Sequence, residues 1–229
     1  MITVDKIITI SLNTDDERRQ QTQQELAKLQ LTTEFFLAEK DPSDRVRGCF
    51  HSHLQVAKKA FASGCNSVLV FEDDVHILPF TSKQIQAINH FVSHHTHFDV
   101  LYLGLIISKM WFCGAYPIVR AKGAGCHAYI LSRQGMEKLS QYLFTGIAID
   151  KIIKSDFRCY SIYPIIANQY PKHIAKSQSY SQTLLDEGVE DQRFWNHNLS
   201  KQKWILFKNL HKGLRELLLS RVKPANKQK

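Results

Sequence analysis

Eight residues, Val68 to Val75 (VLVFEDDV), constrain this chain more than any other stretch. Four apolar residues run without a polar break into Glu72, Asp73 and Asp74. A short apolar run rich in β-branched residues and bounded by polar ones is the pattern of a strand buried on both faces, as in parallel sheets covered by helices. The carboxylates then lie at the strand's carboxyl end, where open α/β sheets place their ligands. Three adjacent carboxylates repel one another, so the fold tolerates them most easily beside a cation. A divalent ion bridging protein oxygens to a nucleotide diphosphate meets that need. The structural alternative is a solvated acidic turn.

The surrounding chain alternates strand and helix patterns. Residues 4–12 (VDKIITISL) read as a first strand. TDDERRQQTQQELAKLQ follows as a helix, with Thr14 or Asp15 as N-cap and a modest apolar face of Leu26, Leu29 and Leu31. TEFFLAE is a second strand, residues 41–49 a polar loop, and FHSHLQVAKKAFASG a helix closed by Gly64. Beyond VLVFEDDV come a helix near 82–95, a buried strand over 99–105 and an irregular or hairpin segment over 108–126. A strand over 127–132 and a helix over 133–144 follow, then a strand region over 157–170 and polar loop and short helix over 171–203. WILFKNLHKGLRELLLSRV is an amphipathic helix. This order predicts an α/β domain with a mostly parallel sheet flanked by helices over residues 1–200, and a basic amphipathic tail over 201–229.

Several classes are disfavoured. The N-terminal stretch mixes charge with apolar residues, unlike a secretory signal, and the longest apolar candidate for a membrane span, VLYLGLIISKMWF, is cut by Lys109. A soluble, cytoplasmic chain is the expectation. Cys49, Cys65, Cys113, Cys126 and Cys159 are far apart with no C-x-x-C pair, which supplies neither a zinc site nor a disulfide framework. His90, His94, His95 and His97 contain an i, i+4 pair but read as a solvated helix end. No P-loop, H-E-x-x-H or G-x-S-x-G pattern occurs. The net charge of +9 is uneven: residues 201–229 hold nine Lys/Arg against Glu216 alone, while the other 200 carry 21 basic and 20 acidic side chains. The body is nearly neutral and the tail cationic, with no basic stripe or motif for nucleic acid.

Four segments in order resemble glycosyltransferase family 25, which contains lipooligosaccharide and procollagen galactosyltransferases. They are ITISLNTDDERR, GCFHSHLQVAKKA, VLVFEDDV and GCHAYILSRQGMEKL, with weaker similarity in FDVLYLG, IDK around Asp150, and YPIIANQ. The resemblance covers about residues 5–180 and leaves out the basic tail. It implies a GT-A-like, Rossmann-type fold and inverting transfer of a hexose, commonly galactose, from a UDP-sugar to an acceptor hydroxyl.

The acidic tip carries the metal expectation. Acid-x-acid spacing on extended backbone points Glu72 and Asp74 to one side, so both can converge on one Mn²⁺ or Mg²⁺ ion, with Asp73 facing elsewhere toward the nucleotide-sugar. By resemblance, Asp74 is the foremost metal ligand. Ser11 and Leu12 resemble the family segment that cradles uracil and ribose. Arg18 or Arg19 could contact the diphosphate or brace the strand end, but adjacent helix residues cannot both face the same way. Ser52 and His53 match the family's Ser-His pair and are assigned to the donor site, a packed or capping role being the alternative. His127, after Gly123 and Gly125, could reach the sugar, though KGAGC is no Rossmann fingerprint. Inversion needs a base for the acceptor hydroxyl. Asp150 matches a family aspartate and is the candidate; its alternative is a helix N-cap. Asp99 and Asp156 match no motif.

In the tail, Trp204, Phe207, Leu210, Leu214, Leu217 and Leu218 fall at helical spacing among Lys and Arg. That composition fits a helix lying on an anionic membrane surface, such as the inner face of a membrane holding a glycolipid acceptor. Packing of the stripe on the domain is the alternative. The partners expected are a UDP-hexose, a saccharide or glycolipid acceptor in lipooligosaccharide or cell-surface glycan synthesis, and anionic lipid. A non-catalytic sugar-nucleotide-binding or membrane-surface adaptor on a transferase fold is the rival reading.

Overall fold

The computed structural model describes residues 1–170 and 192–222. In chain order the elements are β1 (Lys6–Leu12), α1 (Asp16–Ala27), β2 (Glu34–Ala38), α2 (Arg45–Ala62), β3 (Ser67–Glu72), β4 (Val75–Ile77) and α3 (Ser82–His94). They continue as β5 (Val100–Phe112), β6 (Ile118–Ser132), α4 (Arg133–Ser140), α5 (Ile149–Asp156), β7 (Cys159–Ile162), β8 (Ala167–Gln169), α6 (Gln192–Lys208) and α7 (Leu210–Val222). Six strands form one sheet in the order β2-β1-β3-β6-β5-β7, and β4 pairs with β8 in a small second sheet. Within the large sheet five strands run the same way and β6 alone opposes them. This is the mostly parallel α/β sheet flanked by helices that the strand patterns implied.

The VLVF run is apolar throughout because β3 is covered on both sides. Val68 and Val70 pack with Phe50, Leu54 and Val56 of α2, while Leu69 and Phe71 face Leu26, Ile85, Ile88 and Phe91 of α1 and α3. Helix α3 is closed at its start by a capping box in which Thr81 and Gln84 exchange side-chain and backbone hydrogen bonds. Helix α2 begins earlier than the polar loop expected over 41–49 allowed. Asp44 caps it by accepting from the amides of Val46 and Arg47, and this draws Gly48 and Cys49 into its first turns.

Two further expectations, for residues 68–75 and 157–170, are corrected, and the hairpin alternative for 108–126 holds. The 68–75 strand stops at Glu72, and Asp73 and Asp74 form a turn before β4. The 108–126 segment is the far end of the β5–β6 hairpin, whose register slips between Tyr102 and Gly104 and again between Gly104 and Ile106. Glycine there lets strands approach other backbone closely. The 157–170 region is two strands, β7 and β8, in different sheets. Residues 171–191, read as loop and short helix, lie outside the described residues, whereas 192–203 belong to α6.

Helix α6 runs through residue 200 without a break. Its Asn198 clamps β5, accepting from the Ile107 amide at 3.0 Å and donating to the Leu105 carbonyl at 2.9 Å. Gln202 accepts from the Ile165 amide at 3.1 Å. No helix among the described residues is long and apolar enough to cross a membrane.

Gly104 marks the tightest point of this packing, because a Cβ there would collide with the Ala167 carbonyl and the His127 ring. Gly104→Ala is expected to lower unfolding free energy by about 1–3 kcal/mol, as overpacked cores do. Urea denaturation reads this, and an unchanged midpoint would contradict the packing described.

Candidate nucleotide-sugar site

A cleft opens where β1 and β3 end, walled by α1, α2 and the segment after β2. Its lining carries Glu72, Asp73 and Asp74 after β3, and Glu39, Lys40, Asp41 and Arg45 from the segment after β2 into α2. Such a cleft, lined by both carboxylates and cations, offers contacts to a ligand that brings both a cation and a diphosphate.

The acidic turn is held in place by backbone. The Asp73 amide donates to the Ile10 carbonyl at 3.1 Å, and the Tyr170 amide donates to the Asp74 carbonyl at 2.7 Å. The Asp73 carbonyl accepts the Thr22 hydroxyl at 2.9 Å. Asp73 and Asp74 are only 7% and 3% exposed. Burying such charges is costly unless they are paired. Arg18 supplies the pairing: one guanidinium nitrogen lies 2.5 Å from Asp73 Oδ1 and 3.2 Å from Asp74 Oδ2. Burial, together with repulsion from Glu72 and Asp73, still pushes Asp74 up to about 7 against the pull of Arg18. Asp73 is raised for the same first reason. Glu72 moves the other way. Burial would raise it, but its hydrogen bond to His53 and the nearby charges outweigh that and hold it below the ordinary range.

Glu72 and Asp74 converge, as their spacing allows. Gln169 Nε2, reaching in from β8, lies 3.2 Å from Glu72 Oε2 and 3.2 Å from Asp74 Oδ1. Two carboxylates already sharing one donor nitrogen can share an ion, and hard carboxylate oxygens suit Mn²⁺ or Mg²⁺. Asp73 instead faces Arg18.

The other expected residues divide. Ser11 and Leu12 line the cleft at the end of β1, and their strand end is braced by Arg19, whose guanidinium donates to the Leu12 carbonyl at 2.5 Å and the Asn13 carbonyl at 3.2 Å. The adjacent arginines thus face apart, Arg18 to the acids and Arg19 to the strand end and Asp16. Ser52 lines the cleft while its hydroxyl donates back to the Gly48 carbonyl at 2.9 Å. His53 bridges the Tyr129 hydroxyl at 2.8 Å and Glu72 Oε1 at 3.1 Å.

His127 and Asp150 stand apart from the cleft lining. His127 is fully buried, edge-on to Trp195 at 5.6 Å, and burial lowers it to about 4, so its ring is neutral. Asp150 sits in the first turn of α5, and its carboxylate accepts from the amides of Gly125 at 3.2 Å and Lys151 at 2.8 Å. It is not the N-cap, a position held by Ala148. Sequence reasoning missed Cys49, Gln169, Lys40 and Arg45. The Gly-Cys start of the α2 motif and the Asn-Gln end of β8 were the available signals for the first two.

The sheet and its acidic cleft make this an α/β protein with a charged cleft at the carboxyl ends of its strands. Residues 42–153 match the family described as Glycosyltransferase family 25 (LPS biosynthesis protein). A Haemophilus influenzae protein assigned by inference as a glycosyltransferase is 26% identical, with 69% of this chain and 65% of that protein covered. This chain therefore spans less than two thirds of that relative's length. Among solved structures, a glycosyltransferase involved in glycosylation of the major capsid of PBCV-1 aligns with a TM-score of 0.41 at 9% identity, covering 81% of this chain and 98% of that one. A Drosophila β1,4-galactosyltransferase 7 mutant complexed with manganese, UDP-Gal and xylobiose aligns with a TM-score of 0.40 at 9% identity, covering 81% and 79%.

The raised Asp74 makes a signed expectation for metal-free protein. Its folded value of about 7 exceeds the ordinary aspartate value, so the stability linked to it is fully present below about pH 4 and is lost as pH rises toward 7. Asp74→Asn should flatten that decline in thermal melts from pH 4 to 8 with chelator present. Identical slopes for variant and parent would contradict the burial described.

Proposed function

We propose that this chain is an inverting glycosyltransferase that moves a hexose, galactose foremost, from a UDP-sugar to a saccharide acceptor hydroxyl in lipooligosaccharide or cell-surface glycan synthesis. The observation that carries this is the cleft at the ends of β1 and β3, with three carboxylates, Arg18, Lys40 and Arg45 in its lining. The match of residues 42–153 to Glycosyltransferase family 25 supports the same class of chemistry.

Glu72 and Asp74 would hold Mn²⁺ or Mg²⁺, which when bound neutralises charge growing on the departing diphosphate. Ser11 and Leu12 would cradle uracil and ribose at the end of β1, with Ser52 and His53 along the α2 wall. Arg18 holds Asp73 and Asp74 apart from each other's repulsion and keeps the turn in one shape. The acceptor oxygen attacks the anomeric carbon, the bond to the diphosphate oxygen breaks, and Asp150 accepts the hydroxyl proton. Asp150 lies outside the cleft lining but near the cleft residue Cys49, whose thiol is raised by burial, Glu72 and Asp150 in turn, and two backbone amides fix the Asp150 carboxylate.

The same reading places the chain on an anionic membrane surface through α6 and α7. Trp204 and Phe207 are 55% and 65% exposed, and their rings stack 6.0 Å apart on the face of α6 away from Trp195 and Leu206. Leu210, Leu214 and Leu218 continue the exposed stripe along α7. Lys203, Lys208, Lys212 and Arg215 flank it, each worth about 1 kcal/mol beside anionic lipid.

Release of UDP from UDP-galactose should require Mn²⁺ and stop with EDTA. Asp150→Asn should lower kcat for transfer by about 10²–10⁴-fold with UDP binding retained. Full turnover by that variant removes Asp150 as the base, and metal-independent turnover removes the metal assignment. Trp204→Ala combined with Phe207→Ala should weaken cosedimentation with phosphatidylserine vesicles and leave neutral vesicles unbound by either form. Equal binding by parent and variant would end the membrane claim.

A further inference from the structure

The cleft holds a second set of ligating atoms, which shares Glu72 and His53 with the proposed donor site and adds Cys49. Cys49 and His53 stand four residues apart on α2, so their side chains project from one helix face. Glu72 meets them from the end of β3, and one ligand atom from each residue lies within 4.8 Å of the others. Ligands of a tetrahedral zinc ion sit about 3.5 Å apart, given bonds of about 2.0–2.3 Å. His53 Nε2 and Glu72 Oε1 are already at 3.1 Å, so closure asks a modest inward turn of the thiol. Among the described residues this is the one group of three metal-ligating side chains so placed.

The outer contacts suit ligation as well. His53 Nδ1 faces the Tyr129 hydroxyl at 2.8 Å, the type of contact that fixes tautomer and ring orientation in metal-bound histidines. That leaves Nε2 directed at Glu72 and the cleft. Cys49 is exposed to the cleft and His53 is buried behind it, so an ion would enter from the solvent side. Sulfur, imidazole nitrogen and one carboxylate oxygen select a borderline-soft ion over Mg²⁺ or Mn²⁺.

We infer that Cys49, His53 and Glu72 form an ion site for a zinc-class transition metal, which competes with the nucleotide-sugar's ion for Glu72. The competition rests on the transferase reading above; the ion site does not. On binding, the Cys49 thiol gives its proton to solvent, and the thiolate, His53 Nε2 and a Glu72 oxygen each donate an electron pair. His53 Nδ1–H donates to the Tyr129 hydroxyl, and water completes the four ligands. Glu72 can serve this ion or the one shared with Asp74, so zinc acts as an antagonist of donor binding.

Co²⁺ titration of the metal-stripped full chain tests this, because thiolate ligation gives a sulfur-to-cobalt charge-transfer band. The band should saturate at about one equivalent and vanish in Cys49→Ser, whose fold is checked by circular dichroism. Asp74→Asn should keep it, and Tyr129→Phe should keep it with affinity lowered about 10–100-fold. Zn²⁺ should weaken Mn²⁺-dependent UDP binding to the parent protein. No band, a band that survives Cys49→Ser, or a band lost in Asp74→Asn would overturn the site. A protein that binds UDP with Mn²⁺ yet gives no band loses only this inference. A protein that gives the band and binds no UDP keeps the ion site and loses the competition with the transferase reading.

Discussion

One guanidinium makes the acidic cleft possible. Three consecutive carboxylates sit at the mouth of a fully apolar strand, two of them almost without solvent contact. Isolated, such a cluster would expel charge by taking up protons or by unfolding locally. Arg18 contacts both aspartates, and the backbone of the turn is tied to β1, α1 and Tyr170. The arrangement remains undercompensated, as the raised Asp74 records. A residual excess of negative charge, held rigid and opened to a cleft, is what a cation-binding site requires before its ion arrives.

The rest of the fold follows from positioning that turn. β3 must be apolar on both faces to be central, which places α2 on one side and α1 with α3 on the other. The same α2 delivers Cys49, Ser52 and His53 to the cleft wall. β8 exists as a three-residue strand whose last residue, Gln169, reaches both carboxylates. Helix α6 fastens the far edge by Asn198 and Gln202, which leaves its opposite face, with Trp204 and Phe207, turned outward.

Local pattern made much of this legible. The unbroken VLVF run announced a doubly covered strand, and the acids after it announced the ligand end of the sheet. What pattern could not encode was strand direction: GCHAYILS reads as a strand in either sense, and only pairing with β3 and β5 makes β6 antiparallel. Glycines near 108–126 left irregular and hairpin readings open, and they serve the slipped registers and close approaches of a long hairpin. In the site, Glu72, Asp74 and Arg18 lie on elements adjacent to the acidic motif and were within reach of motif reasoning. Gln169 and Tyr129 meet Glu72 or His53 only through tertiary pairing. The edge-on contact of His127 with Trp195 likewise joins residues remote in sequence.

The central claim is that the acidic turn is a cation-and-diphosphate site. Anomalous scattering from crystals grown with manganese and UDP addresses it without reference to turnover. The account expects a manganese peak between the carboxylates of Glu72 and Asp74, with the diphosphate on its open side toward Lys40 and Arg45. A nucleotide bound elsewhere, or a turn that stays bare with Arg18 still spanning both aspartates at saturating manganese, would contradict it.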